Sequence, residues 1–471
     1  MRHSFKVIMV AVLVAGACRE SLIDARPEPG IRFTAGVGST DTIQATPVQA
    51  LNVRVNEADG KPARGAVVRF EAVLSAVSSL PSMTVGTLAS APLMETAVDT
   101  TDASGVASIL VRFGIIAGPG KITVTVPALG FQDTARYTVT PGAAVRTHVT
   151  PRDTAVYLDG SVTLHAMVID RIGNWRLEVP TLSSPEGVSV LGHTVRSSSF
   201  GRHVVRAAFP GITGDSVYVT VLPRGRLAAV RGYMGNTLVM MDLDGSNRVA
   251  VPLRGPISGI DWAPDGRVVA GVANSIGSAN VLEAVSPAGQ SSTFLSGSLA
   301  TEGEDYPVFS ADGRSVFFGG HANNRQTTLW RANSNGTESQ SSSLSLRFDW
   351  GFSYGPSPDG TKLVHSGFLY DLQTRTVTWL DTPAESWRWS PLGDLIAYNS
   401  FSLLGVIRPD GTGRRVLSST YTGSTDRSVD WSGDGKYLVI RSGTALELFE
   451  VASGKRAMLP FTTDFTQAVL K

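Results

Sequence analysis

The chain has a single cysteine, Cys18, in 471 residues. An internal disulfide is therefore excluded, and every core must hold by apolar packing alone. Charge is also scarce: 17% of residues are Asp, Glu, Lys or Arg, with 41 basic against 40 acidic, a net +1. The C-terminal part hides no compensated basic domain, since residues 224–471 carry 22 basic and 23 acidic residues. A balance of that kind exerts no general attraction on nucleic acid or anionic lipid, so DNA and RNA are not expected as partners. Histidine is thinly spread, at positions 3, 148, 165, 193, 203, 321 and 365, with no His-Glu pair and no zinc-ligand spacing. His365 lies in a strand-like run and reads as an ordinary strand residue. There is no Gly-x-Ser-x-Gly elbow, and Gly118-Pro-Gly120-Lys121-Ile122 lacks the Ser or Thr that a phosphate loop places after its Lys. Asp242, Asp244 and Asn247 surround Gly245 without the distal Glu of a calcium loop, which leaves them as turn caps. No catalytic residue, metal or cofactor is expected.

Turn-forming residues are abundant, with 49 Gly and 25 Pro. They favour short strands over long helices, and the chain is expected to be all-β. One phrase recurs: Trp262-Ala-Pro-Asp265-Gly266, Phe309-Ser-Ala-Asp312-Gly313, Ser357-Pro358-Asp359-Gly360, Trp389-Ser-Pro-Leu392-Gly393 and Trp431-Ser-Gly-Asp434-Gly435. Asp before Gly between strand-like runs is a hairpin signal, because the carboxylate bonds nearby backbone N–H groups and Gly accepts a positive φ. The spacings of 47, 47, 33 and 42 residues are those of a propeller or solenoid. A second hairpin recurs at Asp244-Gly245, Ala288-Gly289, Asn335-Gly336, near Thr374, at Asp410-Gly411 and at Ser453-Gly454. Five turns of the first kind against six of the second leave one blade without its innermost strand. Phe465–Leu470 is expected to supply it, completing a blade begun by residues 227–254 and closing the ring without a long free edge.

The repeated phrase resembles that of six-bladed propellers of the TolB type, over residues 224–471. Leu392 departs from the pattern in the fourth copy, and Pro356 replaces the aromatic in the third. The resemblance implies a module that holds partners over a central channel in the periplasm or at the envelope.

The N-terminus reads as a targeting segment. Arg2, His3 and Lys6 precede an eleven-residue apolar run, Val7 to Ala17, the length of a signal-peptide core and too short to span a bilayer comfortably. The run ends Val14-Ala15-Gly16-Ala17-Cys18, which resembles the lipobox of bacterial lipoproteins although Ala15 stands where that family usually has Leu. The resemblance implies that residues 1–18 form a lipoprotein signal with Cys18 lipidated, that the chain is membrane-attached through that anchor, and, from Arg19, that it is sorted to the outer membrane. Residues 19–34, with Arg26-Pro-Glu-Pro-Gly30, read as an extended tether.

Period-two runs such as Leu51-Asn-Val53-Arg-Val55 and Ile122-Thr-Val124-Thr-Val126 follow, with Asp59-Gly60-Lys61-Pro62 and Thr101-Asp102-Ala-Ser104-Gly105 between strands. Residues 35–141 resemble the bacterial Ig-like domains of intimin and invasin type, and residues 144–223 resemble a second such module more loosely. The expected architecture is thus two Ig-like β-sandwiches followed by a six-bladed β-propeller. Residues 74–97 show no clear period and read as a loop or irregular insertion.

An acidic residue recurs just ahead of the expected inner strand in five blades: Asp305, Asp349, Glu385, Asp426 and Asp464. Together with Trp350 and Trp387 these are the candidate partner-binding residues. They are also common loop caps, which is their plainer role. The function expected is an envelope-anchored binding or scaffold module for a protein or glycan partner. The alternative is a propeller-based, metal-dependent lyase or hydrolase acting on an extracellular polymer. The lipid anchor gives a direct test: Cys18→Ser should move the protein from the membrane fraction to the soluble fraction, and a variant that still pellets like the wild type contradicts lipidation.

Overall fold

A computed structural model describes residues 28–73, 83–87, 94–232, 235–273, 280–295, 303–321, 327–346, 354–380, 384, 386–400, 403–419, 429–442, 445–459 and 464–471. Cys18 and the segment read as a signal lie outside these residues. The described residues are all-β, with one short 3-10 turn at Pro127–Leu129 and no α-helix among them. They form two compact units. One comprises residues up to Val145 together with Ile169–Leu177, and the other comprises Arg146–Val168 and Glu178–Lys471.

The first unit is a two-sheet sandwich. Gly30–Ala35, Leu51–Asn56, Val106–Phe113 and Met83–Gly86 form one sheet, and Thr40–Thr42, Phe131–Thr140, Gly118–Val126, Val67–Ala72 and Thr96–Thr100 form the other. Alternate residues of both face one core, in which Leu51, Val53, Val55, Phe70, Ile122 and Val124 are fully buried. Two expectations are corrected here. The tether was expected to run to residue 34, but the first strand starts at Gly30 because Ile31 and Phe33 alternate with Arg32 and pack on the core. The stretch read as irregular contains the strand Met83–Gly86, whose Met83 and Val85 are fully buried. Four residues are too few to display a period. Residues 169–177 belong to this unit: Asp170 accepts the backbone N–H groups of Gly142, Ile172, Gly173 and Asn174, and Asn174 bonds Ile115 and Ala117.

The second unit contains a smaller sandwich and the propeller. In the sandwich, Asp153–Tyr157 pairs in parallel with Asp215–Leu222, which pairs antiparallel with Gly201–Ala208. The sandwich is continuous with the propeller through a shared core. Phe200 and Leu222 pack with Leu227, Met241, Val439 and Leu448, and the Phe200 and Tyr437 rings are 5.1 Å apart. The Tyr157 hydroxyl also bonds Asp244. The sandwich is therefore a bracket fixed to the propeller, and not a freely hinged spacer.

The propeller has six four-stranded sheets. Blade 1 runs outward from Phe465–Leu470 through Arg226–Arg231, Thr237–Asp242 and Val249–Pro252. Blades 2 to 6 begin at the inner strands Ile257–Trp262, Gly303–Phe309, Tyr354–Pro356, Ser386–Trp389 and Val429–Trp431. Each inner strand touches the next around a closed ring. The C-terminal strand closes that ring by antiparallel pairing, with Leu470 opposite Leu227 and Ala468 opposite Ala229.

The repeated phrase has a double role in the blades that carry its Asp. Asp265, Asp312, Asp359 and Asp434 each accept the N–H two residues on, at 3.0 to 3.1 Å. In three copies the phrase serine also donates to the Asp at 2.6 Å, and the Ser357 hydroxyl holds the Asp359 carboxyl below its usual range. The turns then pack on one another. A Cβ added at Gly313 would lie 3.0 Å from Pro264 of the preceding blade, and one at Gly435 would lie 3.0 Å from Leu392. Both glycines also have positive φ, at 71° and 70°. Leu392 interrupts the carboxylate pattern without losing the turn, since its own N–H takes Ser390 Oγ as acceptor at 3.2 Å.

Candidate functional site

The residue immediately before the phrase aromatic, or its structural equivalent, holds one register position in every inner strand, and in three blades it is charged. In blades 1 to 6 this residue is Val469, Asp261, Val308, Gly355, Arg388 and Asp430. Two sets of bonds set this register. Trp431 Nε1 donates to the Arg388 carbonyl at 3.0 Å, and Trp262 Nε1 donates to the Val469 carbonyl at 3.3 Å, each reaching back one blade. Asp261 accepts Phe309 N–H at 2.8 Å, and Asp430 accepts Leu470 N–H at 2.9 Å, each reaching forward one blade. Trp and Asp in adjacent positions thus stitch a blade to both neighbours.

Blades 5 and 2 are opposite one another in a six-membered ring, so the Arg388 side chain crosses the channel. Its Nη2 lies 3.7 Å from Asp261 Oδ2, and its Nε lies 3.2 Å from Asp430 Oδ1. The three side chains are only 13% to 14% exposed. Gly355 lets the inner strands of blades 4 and 5 approach closely, since a Cβ there would meet the Arg388 backbone at 3.1 Å. Burial pushes both carboxyls up, against the pull of Arg388; Asp430 rises to about 7. Although burial opposes its charge, Arg388 is held above its ordinary value by the two carboxylates. One cation between two buried carboxylates leaves the group short of positive charge, so the cost of burial outweighs the pull of Arg388 on both carboxyls.

Above this plug lies the mouth of the channel, a cavity of about 380 Å³ at the end where the phrase turns gather. Every blade contributes to its wall, through Pro264, Asp312, Pro358, Pro391, Gly433 and Lys471 among others. Among the described residues no histidine lines it. Among the described residues no three His, Cys, Asp or Glu side chains converge as a metal-binding group.

The sequence-derived candidates fall elsewhere. Asp305 was placed ahead of its strand, but it lies within Gly303–Phe309, 3% exposed, with both carboxylate oxygens accepting from Asn280 Nδ2 at 2.9 and 2.8 Å. The reason is a bulge between Asp305 and Val308, where Tyr306 takes a φ of 52° and gives its carbonyl to the Tyr354 hydroxyl. Asp464 is exposed, in the turn before Phe465–Leu470, with a φ of 72°. Trp387 is fully enclosed, its Nε1 donating to the Ala384 carbonyl and its ring packed 5.6 Å from Tyr398, so it serves the core and is not open to a ligand. Asp349, Glu385, Asp426 and Trp350 lie outside the described residues. The plug residues Asp261, Arg388 and Asp430 were not singled out by sequence reasoning. Their signal was available as a charged residue directly before the phrase Trp in three copies.

No protein-family model and no curated protein matches the chain. Among solved structures it is similar to TolB from Acinetobacter baumannii, with a TM-score of 0.42 and 16% identity over 58% of this chain and 80% of that one. It is also similar to an auxiliary nutrient binding protein from Bacteroides thetaiotaomicron, with a TM-score of 0.32 and 12% identity over 68% and 86%. A DUF4784 family protein from Bacteroides caccae gives a TM-score of 0.33 and 9% identity over 69% and 98%. At such scores the likenesses carry no functional weight, and the reading of the site rests on its own geometry.

The buried triad predicts a pH dependence. Asp430 is raised from 3.8 to about 7, so over that window the folded chain binds more protons than the unfolded chain, and stability contributed by this group falls as pH rises. Asp430→Asn keeps an acceptor for Leu470 and leaves Arg388 paired with Asp261. Its stability relative to wild type should rise from pH 4 to pH 7 and then level off, as read by denaturant melts. A parallel pH profile for the two proteins contradicts the buried pair.

Proposed function

We propose that the chain is an envelope-tethered binding module whose propeller holds a protein partner at the channel mouth. The observation that carries this reading is the construction of the mouth: one cavity, walled by all six blades, over a channel that Arg388 obstructs. A ligand entering there meets rigid Pro and Gly turns and a few fixed charges, the surface of a docking site rather than a passage. The histidines support the same reading over a metal-dependent lyase or hydrolase. His148, His165, His193 and His203 are in the smaller sandwich, and His365 lies in blade 4 with Nε2 beside Ser366 Oγ. Among the described residues none of these lines the mouth. In this proposal the Ig-like sandwiches raise the propeller from a lipid anchor at Cys18, and the partner is a protein of the same envelope.

A photo-crosslinking residue at Ala311, an exposed position on the mouth, should give a discrete protein adduct in cells. The same residue at Met458, exposed on the outer strand of blade 6, should not. No adduct from Ala311, or the same adducts from both positions, contradicts docking at the mouth.

A further inference from the structure

Blades 3 and 4 are mismatched. Each of the four strands of blade 3 spans seven residues, whereas those of blade 4 span three, four, four and three. The short blade is already visible as the 33-residue spacing of the phrase. Between the two lies a cleft of about 500 Å³, away from the channel mouth.

Its walls have three properties. The first is an aromatic row. Phe368 and Tyr370 lie two apart on one strand, and their register partners Trp379 and Val377 share the same face. Tyr370 and Val377 line the cleft, while Phe368 and Trp379 continue outward at 39% and 47% exposure, with ring centroids 4.6 Å apart. The second is balanced charge: Arg331 and Arg375 face Glu338 and Asp371. Three of these are already engaged. Arg331 donates to Ser315 Oγ, Glu338 accepts from Asn333, and Asp371 accepts two backbone N–H groups. The third is a pair of planar donors without partners. Among the described residues, neither the Arg375 guanidinium nor the Gln340 amide has a hydrogen bond to the protein. Glu338 and Arg375 further hold left-handed backbones, with φ of 54° and 60°, an uncommon conformation for long side chains.

We propose that this cleft is a second binding site, for a neutral oligosaccharide. A pyranose ring has one apolar C–H face, which stacks on an exposed aromatic, and a rim of vicinal hydroxyls, which planar amide and guanidinium groups bond two at a time. Trp379 and Phe368 supply the first surface, and Gln340 with Arg375 supply the second. Balanced charge selects against polyanions and basic peptides, and the polar walls offer no deep apolar socket for a peptide side chain. The site is independent of the docking reading at the channel mouth, on which it shares no residue.

Affinity electrophoresis of the full chain through gels containing dextran, mannan, laminarin or hydroxyethyl cellulose tests the proposal, with alginate as the anionic control. At least one neutral polymer should retard the wild type. That retardation should persist when salt is raised from about 0.05 to about 0.5 M, a change that screens charge-driven binding. Trp379→Ala and Gln340→Ala, both at exposed positions, should melt like the wild type and bind about tenfold or more weakly, as truncated anchor residues do. The proposal is overturned by no retardation in any neutral gel, by retardation undiminished in both variants, or by retardation confined to alginate and lost in salt.

Discussion

The pairing of Phe465–Leu470 with Arg226–Arg231 is the constraint on which the propeller depends. A four-stranded sheet of this kind buries both faces, and it can do so only when each blade has a neighbour on either side. Ala468 and Leu470 pack into the core shared by blades 6 and 1, while Val469 packs into the core shared by blades 1 and 2. One strand therefore covers two faces. The smaller sandwich adds Phe200 and Leu222 to the same seam, so the place where the ring is joined is also where it is braced. Asp430 reinforces the closing strand by accepting Leu470 N–H, which connects closure to the charges in the channel.

Those charges determine what the ring can do. Arg388 reaches the carboxylates of the opposite and adjacent blades, so it couples three inner strands at once. A buried ion group of this sort adds little net stability compared with apolar packing, but removing one partner is costly because the others stay desolvated. Its structural consequence is larger than its energetic one. Arg388 bridges the axis beneath the mouth, where Asp261, Arg388 and Asp430 line the cavity. The binding proposed at the mouth and that proposed in the cleft between blades 3 and 4 would draw on separate features, the first on the sixfold arrangement and the second on a local departure from it.

Much of this fold was legible in the sequence because its turns are local. Asp312-Gly313 and Asp434-Gly435 form their turns from contacts within five residues, and local chemistry leaves a repeated signature. Counting turns was enough to expose the missing inner strand. The alternation of Leu51, Val53 and Val55 likewise announced the first sandwich. What remained hidden depends on contacts between residues far apart in the chain. Met83–Gly86 is a strand only because the sheet beside it supplies a partner, and Asp305 is drawn inward by a bulge that no local pattern encodes. Asp261 and Asp430 are 169 residues apart, and with Arg388 they meet only because the repeat brings the same register position of separate inner strands together. Trp387, conspicuous as an aromatic beside a charge, proved to be core, since the side of a strand that faces inward depends on a neighbouring blade.

Native-state hydrogen exchange of the closing strand tests this account of the ring most directly. If closure holds both flanking cores, the amides of Ala468, Val469 and Leu470 exchange only through global unfolding of the propeller, with the same opening free energy as those of Tyr437–Ser442 in blade 6. Exchange of the closing strand by local fraying, orders of magnitude faster than in Tyr437–Ser442, would show that the ring stands without it.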